Sequence, residues 1–264
     1  MDLTDRQSEI LAHLRREGRV EVEALAEQFG VTTQTIRRDL NLLSTRGLAA
    51  RVHGGARFSN SISNVGYEER RALALAAKEA IGAAAARLIP NACSVMLNIG
   101  TTTEQVARAL AGHRDLVVIS NNINVITTLL GSAKELILAG GVVRPADGAI
   151  VGAEAVEFIT RYKADYAVIG ASALDEDGAV LDFDSREVSV ARAILRNART
   201  RVLVADAQKF ARSAPVRICD VGEIDIVVTD REPPRAFREA AHRGGAEIVV
   251  ADPAAIPEAL DDCA

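Results

Sequence analysis

Residues 34–43 would carry two separate stripes of side chains if they form a helix. Their apolar residues recur at helical spacing, and on nearly the opposite side lie the polar residues Gln34, Arg37, Arg38 and Asn41. An amide side chain can bond two atoms of an adenine edge, and a guanidinium can do the same for guanine or hold a phosphate. The stripe is therefore a candidate for contact with duplex DNA, whereas the ordinary alternative is a solvated helix face.

A second group of residues could hold a phosphate. Gly100, Thr101 and Thr102 stand where an apolar segment gives way to a helical pattern, and the free amides at a helix start bind anions. Other polar residues and glycines follow neighbouring apolar segments, namely Asn121, Asn122, Gly140, Gly141, Ser172, Asp206 and Lys209. Lys209 is one of only four lysines in the chain and would pair with the phosphate. Taken singly, each of these is equally compatible with a helix cap or a surface residue.

Carboxylates cluster just before another helical pattern. Asp182, Asp184 and Glu187 could accept hydrogen bonds from the hydroxyls of a small ligand, or could only complement the positive end of a helix dipole. Arg144 follows the two glycines at 140–141 and is either a second phosphate partner or a surface residue. The sequence leaves both alternatives open.

Three helical patterns and a hairpin pattern position the first stripe. The first helix ends at Gly18, the second at Gly30, and Thr32 or Thr33 can cap the third. Residues 47–56 then predict a short strand, a Gly-Gly turn and a second strand. This order predicts a winged helix-turn-helix, in which the stripe meets DNA together with Thr33, Thr35, Arg51 and His53.

Beyond residue 57 the pattern changes. Residues 58–70 are polar and without periodicity, which predicts a linker, and an alanine-rich helix follows from about residue 70 to residue 88. The seven predicted strands are residues 94–99, 116–120, 135–139, 166–170, 201–205, 224–229 and 247–251. Helices are predicted between them near residues 103–111, 122–131, 153–161, 185–198 and 233–242. This alternation predicts a mostly parallel sheet covered on both faces, which binds ligands outside the carboxyl ends of its strands.

The net charge of −5 disfavours a nucleic-acid partner only if it is evenly spread. Residues 1–60 hold nine arginines and eight acidic residues, and residues 33–57 hold five arginines and one acidic residue. A local basic patch on an otherwise acidic protein is typical of a face that meets phosphates. Composition therefore permits DNA binding without establishing it.

Composition also limits the other classes of function. With 48% hydrophobic and 25% charged residues, the 264-residue chain has the balance of a soluble protein with a core. No apolar run reaches bilayer length and the N-terminus lacks signal-peptide features, so we expect a cytoplasmic protein without a membrane partner. The three cysteines lack metal-ligand spacing, so we expect no disulfide framework, no metal and no cofactor.

The sequence resembles the DeoR family of bacterial sugar-metabolism repressors along almost its whole length. The segments TQTIRRDLN at residues 33–41 and HGGA at residues 53–56 resemble the helix-turn-helix of that family. Four more resemble its C-terminal sensor domain, namely NIGTT at 98–102, SNNINV at 120–125, LAGG at 138–141 and ADAQKF at 205–210. Within the family, the segments DGAIVG at 147–152, LDFD at 181–184 and ARAI at 191–194 are most similar to repressors of glycerol catabolism.

The resemblance implies an α/β protein with a winged helix-turn-helix at residues 1–57, a linker at 58–70 and a sensor domain at 71–264. The sensor domain would have a Rossmann-like fold similar to that of ribose-5-phosphate isomerase. The protein would be a dimeric or tetrameric repressor that leaves double-stranded operator DNA when a phosphorylated metabolite binds, with glycerol-3-phosphate favoured. The implied effector site comprises Gly100, Thr101, Thr102, Asn121, Asn122, Gly140, Gly141, Ser172, Asp182, Asp184, Glu187 and Lys209.

Three alternatives stay open at this point. The effector could be a different sugar phosphate, the sensor domain could bind a protein partner, or the chain could keep an isomerase-like activity. Isomerisation needs a carboxylate base and stabilisation of an enediolate, for which Glu187 and Lys209 could nominally serve. The sequence has no second acid cluster, no metal-ligand spacing and no nucleophile–histidine set, so we expect a sensor rather than an enzyme.

Overall fold

The chain folds into two units, Met1–Val65 and Gly66–Ala264. The computed structural model describes residues 3–17, 19–45, 48–52, 54–58 and 66–252. Within these ranges the first unit combines helices with a small antiparallel sheet, and the second alternates strands and helices around a parallel sheet. The predicted fold class is confirmed.

Apolar spacing builds the core of the first unit. Its helices are α1 (Asp5–Glu17), α2 (Val22–Gln28) and α3 (Thr33–Thr45). Their apolar faces meet in one core that includes Ile10, Leu14, Leu25, Ile36, Leu40 and Leu43. Because α2 and α3 are joined by a short turn, they form the predicted helix-turn-helix.

A three-stranded antiparallel sheet completes this unit. Its strands are β1 (Arg19–Glu21), β2 (Ala49–Val52) and β3 (Gly55–Phe58), with β3 in the middle. The hairpin of β2 and β3 was predicted, whereas β1 was not, because three residues between two helices show no periodicity. Gly55 is required where β3 approaches β1, since a Cβ atom there would lie 2.1 Å from the Val20 carbonyl oxygen.

The second unit contains all seven strands that the sequence predicts. Its strands are β4 (Ser94–Leu97), β5 (Val117–Ser120), β6 (Glu135–Leu138), β7 (Val142–Arg144), β8 (Ala149–Val151), β9 (Ala164–Ile169), β10 (Ala173–Leu174), β11 (Ala179–Asp182), β12 (Ala198–Val204), β13 (Val216–Asp220), β14 (Ile226–Thr229) and β15 (Glu247–Val250). Seven of them pair in parallel in the order β15-β14-β12-β9-β4-β5-β6. These seven are the predicted strands, and their ends differ from the predicted ones by at most three residues.

Helices cover both faces of this sheet, as the alternation predicts. They are α4 (Tyr67–Ala72), α5 (Leu75–Arg87), α6 (Thr101–Leu110), α7 (Ile123–Leu129), α8 (Ala153–Ile159), α9 (Ser185–Arg196) and α10 (Arg235–Gly244). Successive strand residues face opposite sides, so Val168 packs with Ile81 and Val106 while Ile169 packs with Ile194 and Phe237. Apolar burial on both faces holds the carboxyl ends of the strands in fixed positions.

The prediction of one helix from about residue 70 to residue 88 is wrong. The chain forms α4 and α5, and between them Ala74 adopts a left-handed conformation with φ of 53°. Lys78 Nζ donates to the carbonyl oxygens of Arg70 and Leu73, which in a continuous helix would accept from backbone amides. Helix α4 also lies partly within residues 58–70, which were predicted to be a linker; residues 59–65 lie outside the described residues.

Two smaller antiparallel sheets were not predicted. Strands β7 and β8 form a hairpin, and β11 pairs with β10 and β13. All five have two to five residues, too few to show alternation. They matter for function because β7 ends at Arg144 and β11 ends at Asp182.

In the part of the chain that the structure describes, no helix has both the length and the apolarity to span a bilayer. The same residues contain no group of three His, Cys, Asp or Glu side chains that could hold a metal ion.

Candidate DNA interface and ligand cleft

The polar stripe of α3 faces solvent. Gln34, Arg37, Arg38 and Asn41 are exposed, whereas the apolar stripe on the opposite side is buried. Neither arginine forms a hydrogen bond or an ion pair with any residue in the described ranges. Both guanidinium groups can therefore bond a base edge or a phosphate without breaking an internal contact.

The turn before α3 fixes where the stripe begins. The Thr35 amide donates to Thr32 Oγ1 at 3.3 Å, and the hydroxyl oxygens of the two threonines lie 3.0 Å apart. Thr32 is thus the cap, one of the two residues predicted for that role. Thr33 and Thr35 are half-buried in the first turn of α3, the turn that a helix-turn-helix places against the major groove.

A buried carboxylate sets the rotation of α3. Asp39 is only 5% exposed and accepts hydrogen bonds from Arg6 Nε at 2.7 Å and Gln7 Nε2 at 2.8 Å. These bonds tie α3 to α1 on the side away from the polar stripe, and the bond from Arg6 is charge-assisted. Sequence reasoning missed this role; the available signal was a single acidic residue among five arginines in residues 33–57.

The hairpin supplies the wing of the motif. Arg51 lies in β2 opposite Ala56 of β3, and Gly54 takes the left-handed φ of 78° that the turn requires. His53 lies outside the described residues. Contact of Arg51 and His53 with DNA stays a prediction.

In the second unit a cleft opens where β4 and β9 end. It is lined by Arg70, Ile99, Gly100, Thr101, Thr102, Gly170, Ala171, Ser172, Asp182, Glu187 and Lys209. This is the edge at which open α/β sheets bind ligands. The lining residues come from six separate segments of the chain, which the parallel sheet brings together.

Helix α6 begins at the cleft. Gly100 precedes it with φ of 139°, a conformation that favours glycine, and Thr103 Oγ1 donates to the Gly100 carbonyl oxygen at 2.7 Å. The first amides of the helix have no acceptor within it, and Thr101 and Thr102 line the cleft beside them. This end of the helix is therefore suited to an anion.

Lys209 is a buried cation in the same cleft. It is 9% exposed, and its ammonium forms no hydrogen bond or ion pair with the described part of the chain. Burial lowers the pKa of Lys209 to about 8, although the charge of Asp206 acts in the opposite direction. An ammonium buried without a bonded anion is costly, and an anionic ligand would relieve that cost.

Further cations surround Lys209. The charges of Arg212, Lys78 and Arg70 all lower its pKa, so all three lie near it. Burial likewise lowers the pKa of Lys78 to about 8 and lowers the pKa of Arg212. For Lys78, Lys209 and Arg212 alike, Asp206 is the neighbouring charge with the largest effect. This end of the cleft therefore has an excess of positive charge.

The other end of the cleft is acidic. Burial, and then the charge of Asp182, raises the pKa of Glu187 to about 7, while Arg144 acts to lower it. Burial also raises the pKa of Asp182, which lies at the end of β11. Carboxyl groups in this setting are acceptors for ligand hydroxyls.

Arg144 is fully engaged by carboxylates. Its Nε and Nη2 donate to Asp147 at 2.8 and 2.6 Å, Nη2 donates to Glu187 at 2.9 Å and Nη1 donates to Asp184 at 3.2 Å. The bonds to Asp147 come first among the causes that raise the pKa of Arg144. Arg144 is thus a partner of the carboxylates at the acidic end, and its contact with a phosphate stays a prediction.

Comparison with known families identifies both units. The DeoR-like helix-turn-helix domain matches residues 6–62, and the DeoR C terminal sensor domain matches residues 74–231. The chain belongs to the DeoR family of transcriptional regulators.

Individual relatives agree with this assignment to the DeoR family. The chain is 41% identical over 237 residues to the glycerol-3-phosphate regulon repressor of Escherichia coli strain K12, covering 89% of this chain and 93% of that protein. It is 35% identical over 246 residues to the HTH-type transcriptional repressor CsqR of the same strain, covering 93% and 94%. The chain is a transcriptional repressor of this family.

Solved structures show only a distant likeness. Ribose 5-phosphate isomerase A of Methanocaldococcus jannaschii matches with 15% identity and a TM-score of 0.38, covering 50% of this chain and 53% of that one. A likeness at this level shows nothing about activity.

Five of the predicted effector residues of this DeoR-family protein do not line the cleft. Asn121 Nδ2 donates to the Ile150 carbonyl oxygen at 2.9 Å, and Asn122 caps α7 by accepting from the Asn124 amide at 2.9 Å. Asp184 caps α9 and pairs with Arg186 and Arg144, while Gly140 and Gly141 lie in the turn between β6 and β7. Contact of these five with an effector stays a prediction.

Sequence reasoning also missed three cations that line the cleft or lie near Lys209. Arg70 and Lys78 were assigned to a linker boundary and to the middle of a helix, and Arg212 to no element. Only the break between α4 and α5 brings the first two to the strand ends, and no local pattern signals that break. The one available signal was the scarcity of lysine, which draws attention to Lys78 as much as to Lys209.

Proposed function

We propose that this repressor binds double-stranded operator DNA through α3 and releases it when a small phosphorylated metabolite occupies the cleft. The observation that carries the proposal is the buried Lys209 ammonium, which no described residue bonds, in the cleft at which α6 begins. A phosphate dianion would bond that ammonium and the free amides of the helix at once. The protein then acts by binding, and no turnover is needed.

For the DNA half, α3 enters the major groove and the hairpin of β2 and β3 holds the backbone. The free guanidinium groups of Arg37 and Arg38 support this assignment. We infer contacts to base edges or phosphates from Thr33, Gln34, Thr35, Arg37, Arg38, Asn41, Arg51 and His53. The protein would act as a dimer or tetramer in the cytoplasm, so that paired units meet repeated half-sites.

For the effector half, the two ends of the cleft call for two kinds of ligand group. The end with Arg70, Thr101, Thr102 and Lys209 suits a phosphate, and the end with Asp182 and Glu187 suits hydroxyls. A phosphorylated polyol or small sugar has both. Glycerol-3-phosphate is our first candidate, because the relative with 41% identity is named for it. A different sugar phosphate is the second candidate, because a relative that is not named for glycerol-3-phosphate, CsqR, covers as much of the chain.

A thermal-shift series with the purified full-length protein tests the effector. Glycerol-3-phosphate is compared with glycerol and with inorganic phosphate, which each supply one half of the ligand. A ligand that binds only the native state raises the melting temperature in proportion to the logarithm of its concentration over Kd. We expect a clear rise with millimolar glycerol-3-phosphate and a smaller one with either half.

The result of this thermal-shift series distinguishes glycerol-3-phosphate from another phosphorylated effector and from a protein partner. A rise with another three- to six-carbon phosphate, and none with glycerol-3-phosphate, would keep the site and change the effector. No rise with any phosphorylated metabolite would refute the effector half and favour a protein partner for the sensor domain. In either case the DNA half is tested separately, by the binding of arginine variants described below.

A further inference from the structure

Three buried side-chain atoms in the described part of the chain have no hydrogen-bond partner, namely Asn98 Oδ1, Asn121 Oδ1 and Thr229 Oγ1. All three residues are at most 2% exposed. A buried acceptor without a donor costs free energy, so each of these atoms needs a physical explanation. Thr229 ends β14, whereas Asn98 and Asn121 directly follow β4 and β5. Two of the three atoms therefore lie at neighbouring strand ends.

The two asparagines are neighbours on one face of the sheet. Strands β4 and β5 pair in parallel and end in register, and Asn98 and Asn121 are the next residues on each strand. The residues two positions earlier, Met96 and Ile119, belong to one apolar cluster, to which α9 also contributes. Because side chains alternate along a strand, Asn98 and Asn121 face the side of the sheet that α9 covers.

This face borders the acidic end of the cleft. Ile99, which follows Asn98 directly, lines the cleft. Glu187 of α9 lines it too, and the next residue, Val188, belongs to the apolar cluster beneath the two asparagines. The unbonded amide oxygens therefore lie beside the end of the cleft that the carboxyl groups form.

The partner that these oxygens lack must be a hydrogen-bond donor. Asn121 is held in place, because its Nδ2 donates to the Ile150 carbonyl oxygen at 2.9 Å. Asn98 Oδ1 has no hydrogen bond, so it can turn toward a ligand without breaking one. An amide oxygen accepts from hydroxyl groups, whereas a phosphate dianion has only acceptors to offer. The part of an effector that fits these oxygens is therefore the part that carries hydroxyls.

We propose that Asn98 and Asn121 form a hydroxyl-binding subsite through which the repressor selects phosphorylated polyols over phosphate esters without hydroxyls. The phosphate of the effector binds where α6 begins, and its hydroxyls donate to the two amide oxygens. Binding then supplies the donor that the free protein lacks. The two asparagines contribute to selectivity, and the cations contribute to affinity for the phosphate. The subsite rests on the proposed function, because it requires a phosphorylated ligand in the cleft.

The first experiment uses the full-length wild-type protein and two ligands. Glycerol-3-phosphate is compared with propyl phosphate, which has the same carbon chain and phosphate but neither hydroxyl. Affinities are obtained from the rise of melting temperature with ligand concentration. We expect propyl phosphate to bind at least tenfold more weakly, because it leaves buried acceptors without a donor. Equal affinities would overturn the subsite. If the effector is another phosphorylated metabolite, the alkyl phosphate of its chain length takes the place of propyl phosphate.

The second experiment repeats both titrations on Asn98→Leu, which has the same branched shape without the amide. Thr229→Val is the matched control. It removes the third unbonded oxygen, from a residue that does not line the cleft and that β12 and β9 separate from β4. Because each substitution removes a buried acceptor without a partner, we expect neither variant to melt below the wild type. Asn98→Ala gives the same comparison if leucine does not fit.

The ratio of the two ligand affinities separates selectivity from stability. Asn98→Leu should bind glycerol-3-phosphate about tenfold more weakly than the wild type and should bind propyl phosphate equally well. Thr229→Val should bind both ligands like the wild type. A merely structural role for Asn98 would change the melting temperature, or both affinities by the same factor, and leave their ratio unchanged.

Two kinds of result distinguish the subsite from the proposed function. A wild-type ratio in the Asn98 variants overturns the subsite and assigns the amide oxygen to a buried water, while the phosphate site stands. A wild type that shows no thermal shift with any phosphorylated metabolite refutes the effector site itself, and the hydroxyl subsite with it.

Discussion

Replacement of Lys209 by methionine is expected to stabilise this protein and to abolish its response to ligand. Burial lowers the pKa of Lys209 from 10.5 to about 8, a net value that already includes the favourable charge of Asp206. One pKa unit between the folded and unfolded states corresponds to about 1.4 kcal/mol, so the charged ammonium costs about 3 kcal/mol at neutral pH. Methionine fills similar space without a charge, and Asp206 keeps Lys78 and Arg212 as neighbours.

The lowered pKa of Lys209 also predicts how the stability of the protein changes with pH. Because the pKa of Lys209 is lower in the folded state, the unfolded chain binds more protons between pH 8 and pH 10.5. Stability of the wild type should therefore rise across this window. Lys78, whose pKa is also lowered to about 8, contributes with the same sign. The stability of Lys209→Met should rise less steeply with pH, because of these two lysines only Lys78 still contributes.

Thermal unfolding at pH 7 and at pH 9.5 measures both effects. For a protein of this size 1 kcal/mol corresponds to roughly 2–4 °C, so Lys209→Met should melt about 6–12 °C above wild type at pH 7. Lys134→Met is the control, since Lys134 is exposed, and it should melt with the wild type. The wild type and the control should gain stability with millimolar glycerol-3-phosphate, and Lys209→Met should not.

Two results would refute this reasoning. A Lys209→Met protein that melts below the wild type would show that the ammonium supports the fold rather than straining it. A variant that keeps the full thermal shift with ligand would place the phosphate away from Lys209. Loss of the ligand shift together with a gain in melting temperature is the combination that only a binding role explains.

Three further perturbations test other parts of the molecule. Arg37→Ala and Arg38→Ala should each weaken DNA binding by about 1–3 kcal/mol if the arginine contacts a base edge, and neither should change the melting temperature. Fluorescence anisotropy measures the DNA affinity, and a normal affinity for both variants would show that α3 is not the helix that contacts the bases. Gly55→Ala should lower stability and DNA affinity, because its Cβ would lie 2.1 Å from the Val20 carbonyl oxygen, whereas Gly112→Ala has open space and should do neither in the same two assays. Burial raises the pKa of Glu187 from 4.5 to about 7, so the folded protein binds more protons in that window and stability falls as pH rises through it. Asp182, whose pKa burial also raises, contributes with the same sign, so Glu187→Gln should make this fall shallower in denaturant unfolding between pH 5 and pH 8, and an unchanged slope would assign it to another group.

The strands were predictable because each is continuously apolar and bounded by turn residues. A parallel strand buried on both faces is marked by composition alone, which is why Val95, Val118 and Val168 all fall within predicted segments. Open α/β sheets bind ligands at the carboxyl ends of their strands, and this rule correctly predicted that Thr101 and Lys209 lie at that edge of the sheet. The same rule could not tell that Thr101 lines the cleft and Asn121 does not, because both residues follow strands. Only tertiary packing directs Thr101 toward the cleft and Asn121 toward Ile150.

The break between α4 and α5 could not be predicted from local sequence. Residues around Ala74 have high helix propensity, and a left-handed alanine is strained. The break exists because a buried lysine takes the carbonyl oxygens of Arg70 and Leu73, and that lysine is buried by packing against the sheet. Tertiary contacts therefore outweigh helix propensity at the point where Arg70 reaches the cleft.

The cleft holds charges of both signs in states that burial disfavours. The pKa values of Lys78 and Lys209 are lowered and those of Asp182 and Glu187 are raised, so in each case burial makes the charged form more costly than it is in water. Buried groups of this kind weaken a fold, and they concentrate where a ligand completes them. Inorganic phosphate would satisfy only the lysines, and glycerol would satisfy only the carboxyl groups. A molecule that carries both a phosphate and hydroxyl groups would bond the lysines and the carboxyl groups in one binding event. Only one molecule then loses translational and rotational entropy, so it should bind far more tightly than phosphate or glycerol alone.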